Sequence, residues 1–117
     1  MPRIANTTDF TVPVEGVGSF TFGRRKMNDQ ILIHQELSAI YGGVHPTQWL
    51  ETVGPMIATL KVMTVLAPKA WDIDELDPLD DATYIKLRRV FEALRDQENS
   101  FRAGAGVAGE GNGAPAV

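Results

Sequence analysis

The densest group of chemically capable side chains is an acidic stretch, Asp72-Ile73-Asp74-Glu75-Leu76-Asp77-Pro78-Leu79-Asp80-Asp81. Carboxylates at this density can bind calcium or serve as general acid and base. A calcium loop needs oxygen ligands at positions one, three and five, glycine at six and a bidentate glutamate at twelve. Counted from Asp72, the third position is Asp74, but the fifth is Leu76, the sixth Asp77 and the twelfth Thr83. Three departures set calcium aside, and the stretch reads as a solvated connection. No spacing singles out a partner for Asp77 or Asp80 in acid–base work. The two histidines, His34 and His45, lack the spacing of metal ligands and no HExxH pattern holds them. His34 reads as a packed or boundary residue on a helix stripe, and His45 as part of the turn Gly42-Gly43-Val44-His45-Pro46.

Nucleophilic chemistry finds equally little. None of Ser19, Ser38 and Ser100 lies in a Gly-x-Ser-x-Gly elbow. Gly16-Val17-Gly18 has no lysine in register for a phosphate loop and runs into a strand pattern. The chain has no cysteine, which excludes a disulfide framework, a thiolate metal site and a cysteine nucleophile together. No catalytic, cofactor or metal residue is assigned, and a non-enzymatic protein is expected. The sharpest basic cluster, Arg24-Arg25-Lys26, suits a phosphate backbone or an acidic protein surface, or is a solvated turn. With 15 acids against 11 bases and a net charge of -4, no broad footprint for nucleic acid is expected. The opposite charges of this cluster and of the acidic stretch also allow copies to meet head to tail. Arg88 and Arg89 share a helix pattern with acids able to pair with them.

The 117 residues leave room for one domain. Phe10, Val12 and Val14 alternate with polar residues or proline, and Ser19-Phe20-Thr21-Phe22 alternates again after Gly16 and Gly18. This predicts a two-stranded ribbon, with Pro13 on an edge strand and Phe20 and Phe22 sharing a covered face. A helix is expected over Met27–Tyr41, with one stripe through Met27, Ile31, His34, Leu37 or Ser38, and Tyr41 and a second through Ile33, Leu37 and Ile40. Another begins near Pro46 and carries Trp49, Val53, Met56, Leu60 and Met63, with a kink or break at Gly54-Pro55. Trp71, Ile73, Leu76 and Leu79 pin the acidic connection to the core, and Asp80 or Asp81 caps a last helix over 82–102. The final 15 residues, 103–117, hold five of the 11 glycines and five alanines, and are expected to be a disordered tail. The expected architecture is mainly α: an arm over 1–8, a helical domain with an N-terminal β-ribbon over 9–102, and the tail.

The start of the chain is too polar for a signal-peptide core, and the apolar run Met56–Ala67 is interrupted by Thr59, Lys61 and Thr64. It falls short of the roughly 20 apolar residues a membrane span requires. The expectation is a soluble protein made in a cytoplasm.

Phe20-Thr21-Phe22-Gly23-Arg24-Arg25-Lys26-Met27-Asn28-Asp29 resembles the start of small phage tail assembly chaperones. The resemblance continues through Pro46-Thr47-Gln48-Trp49-Leu50, Leu60-Lys61-Val62-Met63-Thr64-Val65 and Trp71-Asp72-Ile73-Asp74. It ends with the helix from Tyr84 to Arg102, and so covers residues 9 to 102. It implies a non-enzymatic partner of the tape-measure protein in the bacterial host cytoplasm, keeping that protein soluble while tube subunits polymerise. It also implies contact with tail-tube protein through a longer, frameshifted form, whose extension would start in a region like 103–117. Apolar stripes wider than one small core needs suit an amphipathic partner helix, and methionines adapt to varied surfaces. The candidate partner-binding residues are Arg24, Arg25, Met27, Met56, Met63 and Trp71. The alternatives are a structural subunit of a phage or phage-like tail, or a small adaptor or inhibitor of a host protein.

Overall fold

Alternation along Phe10–Val14 and Gly18–Phe22 produces an antiparallel hairpin, β1 and β2, turned by residues 15–17. The computed structural model describes the backbone of residues 3–109 and the side chains of residues 3–103. Phe10 lies opposite Phe22 and Val12 opposite Phe20, so the two-residue period turns Val12, Val14, Phe20 and Phe22 to one buried face. On the other face the hydroxyls of Thr11 and Thr21 meet at 3.0 Å. β1 lies at an edge of the sheet, as Pro13 requires.

The ribbon has a third member. Thr64–Leu66 forms β3, antiparallel to β2 opposite Thr21 and Phe22, with a register shift between those two residues. Three residues are too few to display alternation. They also follow a helical pattern with no glycine or proline between, so the strand is silent in the sequence.

α1 spans Met27–Tyr41 and ends at Gly42, whose φ of 63° suits glycine and whose N–H donates to the Ser38 carbonyl at 3.0 Å. α2 spans Gln48–Met63 and packs on α1. Its cap is Thr47, whose hydroxyl accepts from the Leu50 amide at 3.2 Å, so Pro46 stands before the cap instead of opening the helix. Of the kink or break expected at Gly54-Pro55, the break does not occur. The helix runs through it, although proline leaves the Glu51 carbonyl without its intrahelical donor. α3 begins at Asp81 and its backbone runs to Gly109, past the expected end at Arg102. The Asp80 carboxylate caps it, accepting from the Ala82 amide at 3.0 Å. The rest of the expected tail lies outside the described residues.

Leu87, Val90 and Leu94 of α3, Val53, Met56, Leu60 and Met63 of α2, and Ile33 of α1 close over the apolar sheet face. Of α1's two stripes, the one through Ile33, Leu37 and Ile40 faces inward. The Met27–Ile31–His34 stripe faces outward, so His34 is exposed and not packed. Trp71, Ile73 and Leu76 pin the 67–80 connection to the core as expected, but Leu79 is 90% exposed. A row of rings crosses the core. Trp71 meets Phe20 edge-on at 5.3 Å, Phe20 lies parallel to Phe22 at 5.8 Å, Phe22 is 6.0 Å from Phe10, and Phe10 meets Phe101 edge-on at 4.9 Å.

The N-terminal arm is fastened at the corner between β2 and α1. Arg3 Nη1 donates to Asp29 Oδ1 at 2.5 Å, and Arg3 Nη2 reaches Asp29 Oδ2 at 3.2 Å. The same Oδ2 accepts from the Lys26 amide at 2.8 Å, satisfying a free donor at the start of α1. The guanidinium lies against the Cα of Gly23, where a Cβ would overlap it. Burial pushes the Asp29 carboxyl up, but the Arg3 hydrogen bond, the Lys26 amide and both nearby positive charges outweigh it. The net effect holds the carboxyl below its ordinary value of 3.8.

A depressed carboxylate stabilises the fold fully above its unfolded pKa, and that contribution disappears as pH falls through the lower folded value. Asp29→Asn is expected to cost about 1–3 kcal/mol at neutral pH. It should also flatten the decline in stability below about pH 4, measured by urea unfolding across pH. Phe20→Ala, which empties the middle of the ring row, is expected to cost about 3–5 kcal/mol in the same assay at neutral pH.

Candidate functional site

Two surfaces stand apart from the core. The first is a groove of about 690 Å³ where the start of β1, the turn after β2 and the last described turns of α3 converge. The spacing Phe91, Arg95, Glu98, Arg102 puts these four side chains on one stripe of α3, and all four line the groove with Leu94 and Phe101. Phe10 closes it from β1, while Arg24 and Arg25 enter from the turn. Four guanidiniums thus face a single carboxylate, Glu98, on a molecule whose net charge is -4.

The arginines are held in different ways. Arg25 makes a forked pair with Glu98, its Nε and Nη2 each 3.0 Å from a carboxylate oxygen, and its Nη1 donates to the Gln30 side chain at 2.8 Å. This contact ties the turn to both α1 and α3. The Arg24 guanidinium sits 4.0 Å above the centre of the Phe101 ring, and that of Arg95 lies 5.6 Å from the Phe91 ring. Cations over ring faces keep their charge while their planar sides rest on apolar surface. The groove therefore has an apolar floor and a positive rim.

The second surface is the outward stripe of α1. Met27 is 78% and Ile31 50% exposed, and Ile31, His34, Gln35 and Ser38 line a shallow, open depression with Gln30. The His34 and Gln30 Nε2 atoms lie 3.3 Å apart. Trp49 and Val44 are exposed around the α1–α2 connection.

The six candidate residues thus separate. Arg24 and Arg25 meet in the groove and Met27 stands on the α1 stripe. Met56 and Met63 do not reach a partner-facing surface, because α2 turns both into the core against the sheet. Trp71 is half-buried with its ring on Phe20. Sequence reasoning missed Phe91, Arg95, Phe101 and Arg102 as a set. Their helical spacing was the available signal, masked by the oppositely charged residues interleaved with them.

The acidic stretch is organised by its own backbone. Asp72 accepts from the Asp74 amide at 3.1 Å and Asp77 from the Leu79 amide at 2.9 Å. Lys61 bridges it to the helices, 2.9 Å from Asp74 and 3.6 Å from Glu36, and hydrogen bonding to Asp74 raises its pKa despite partial burial. Among the described residues no helix is long and apolar enough to cross a membrane.

If the forked pair braces the groove, Arg25→Ala and Glu98→Ala should show a coupling of about 0.5–1 kcal/mol in a double-mutant cycle of unfolding free energies. No family model, curated protein or solved structure matches this sequence.

Proposed function

We propose that this protein is a phage tail assembly chaperone, a non-catalytic binder that shields amphipathic segments of the tape-measure protein in the host cytoplasm. The observation that carries the reading is the outward α1 stripe, where Met27 and Ile31 stay exposed although a second stripe of the same helix already serves the core. An apolar row at helical spacing, with no covering element among the described residues, offers anchors at i and i+4 to a partner helix. The thioether of Met27 accommodates partners of varied shape. The resemblance of residues 9 to 102 to tail assembly chaperones, described above, points to the same reading. Tail-tube protein is the second partner it implies, reached through a longer, frameshifted form.

Co-expression with the cognate tape-measure protein tests this. The full chain is expected to carry the tape-measure protein into the soluble fraction and to co-purify with it. Met27→Asp with Ile31→Asp, at exposed positions that leave the fold intact, should reduce recovery about tenfold or more, the scale of two lost apolar anchors. Failure of the wild-type chain to solubilise or retain the tape-measure protein would overturn the proposal.

A further inference from the structure

We infer that the arginine-lined groove and the outward α1 stripe form one continuous track, and that a partner helix lies along it antiparallel to α1 with an acidic C-terminal turn in the groove. The inference rests on the reading of the α1 stripe as a helix-docking surface and adds the partner's charge and direction. Gln30 joins the two surfaces. It lines the groove, and it also lines the depression that holds Ile31 and His34. Its Oε1 accepts from Arg25 Nη1 at 2.8 Å, and its Nε2 lies 3.3 Å from His34 Nε2. Side-chain contacts therefore run unbroken from Glu98 through Arg25 and Gln30 to His34.

Charge is confined to one end of this track. Met27, Ile31, His34, Gln35 and Ser38 include no acid, lysine or arginine. At the groove end Arg25 is already paired with Glu98, whereas Arg24, Arg95 and Arg102 have no carboxylate partner among the described residues. The missing anions must come from the occupant. Phe10 and Phe91 beneath them also ask for an apolar side chain in the same turn.

The groove lies at the start of α1, because Arg24 and Arg25 shortly precede that helix and Gln30 belongs to its first turn. A helix ends with four unpaired carbonyls and about half a negative charge at its C-terminus. Carboxylates in that last turn are unfavourable in a free helix and become favourable over guanidiniums. The C-terminal end of the partner therefore belongs at the start of α1, and the two helix dipoles run in opposite directions. From Met27 to Ser38 the stripe is about 16 Å long, or three turns of a partner helix.

The test uses two synthetic peptides of about five helical turns with blocked ends and the same apolar row at i and i+4. One carries three glutamates in its last turn, the other in its first. Binding to the full chain is read by fluorescence anisotropy at low salt. The last-turn peptide is expected to bind about tenfold tighter, although glutamates favour the free helix when they stand in its first turn. About 1 M salt should shrink the difference. Arg95→Glu with Arg102→Glu, at exposed positions, should reverse the preference and keep native circular dichroism. Met27→Asp with Ile31→Asp should weaken both peptides alike.

Direction can also be read by crosslinking. The chain has no cysteine, so Asn99→Cys, exposed in the groove, supplies a single thiol. A bromoacetyl group on the C-terminal end of the last-turn peptide should alkylate it, and the same group on the N-terminal end should not. The inference fails if neither peptide binds, if both bind equally, if the preference survives the arginine reversal, or if the N-terminal end alkylates Cys. Displacement of the last-turn peptide by an equal concentration of single-stranded DNA would assign the groove to phosphate and also overturn it. Failed co-expression with the tape-measure protein would sink the functional reading alone, because the peptides report on the track without that protein.

Discussion

A sheet with one apolar face is stable only when something covers it, and here the cover is organised around two rings on the middle strand. Phe20 and Phe22 are fully buried on the same side of β2. Their ring neighbours come from three separate parts of the chain: Trp71 from the 67–80 connection, Phe10 from β1 and, through Phe10, Phe101 from the end of α3. Ring contacts of this kind fix orientation as well as burying area. They align the end of α3 with the start of β1, which in turn places Arg24 over Phe101 and shapes the groove. The groove is thus an outer extension of the core's aromatic row.

Much of this was legible because period and punctuation agreed. The alternation of Phe20 and Phe22, the paired glycines after Tyr41 and the aspartates before Ala82 each pointed to one local structure, and each formed it. The failures have physical causes. β3 is too short to carry a period. At Pro55 the break, one of the two outcomes expected there, does not occur, because α2 packs against both α1 and α3 and the lost hydrogen bond does not end it. Both stripes of α1 carry apolar residues in sequence, and packing against α2 selects the aliphatic one through Ile33 over the one through Ile31. His34, Met56 and Met63 were misplaced for the same reason: composition identifies apolar stripes, while tertiary packing decides which one faces water.

The groove was legible only in part. Arg24 and Arg25 announce themselves as neighbours in sequence, whereas Phe10, Phe91 and Arg95 become neighbours only after the chain folds. Charge is distributed along the molecule in a way no average reveals. The net value of -4 conceals an acidic corner at one end of α3 and a cluster of guanidiniums near the other. Each pole is braced internally, one by backbone-bound aspartates and the other by Glu98 and ring faces, so both keep their sign and their shape.

The passage from α2 into β3 has a consequence for how such a chain can diverge. Met63 is the last residue of the helix and Thr64 the first of the strand, with nothing between them. One added or deleted residue there would turn the side chains of β3 to the opposite side of the sheet and break their alignment with β2. The turn at Gly42 and Gly43 and the exposed surroundings of Leu79 have no such coupling. Homologous chains should therefore differ in length at those two places and keep the helix-to-strand junction invariant in spacing, however far their residues drift.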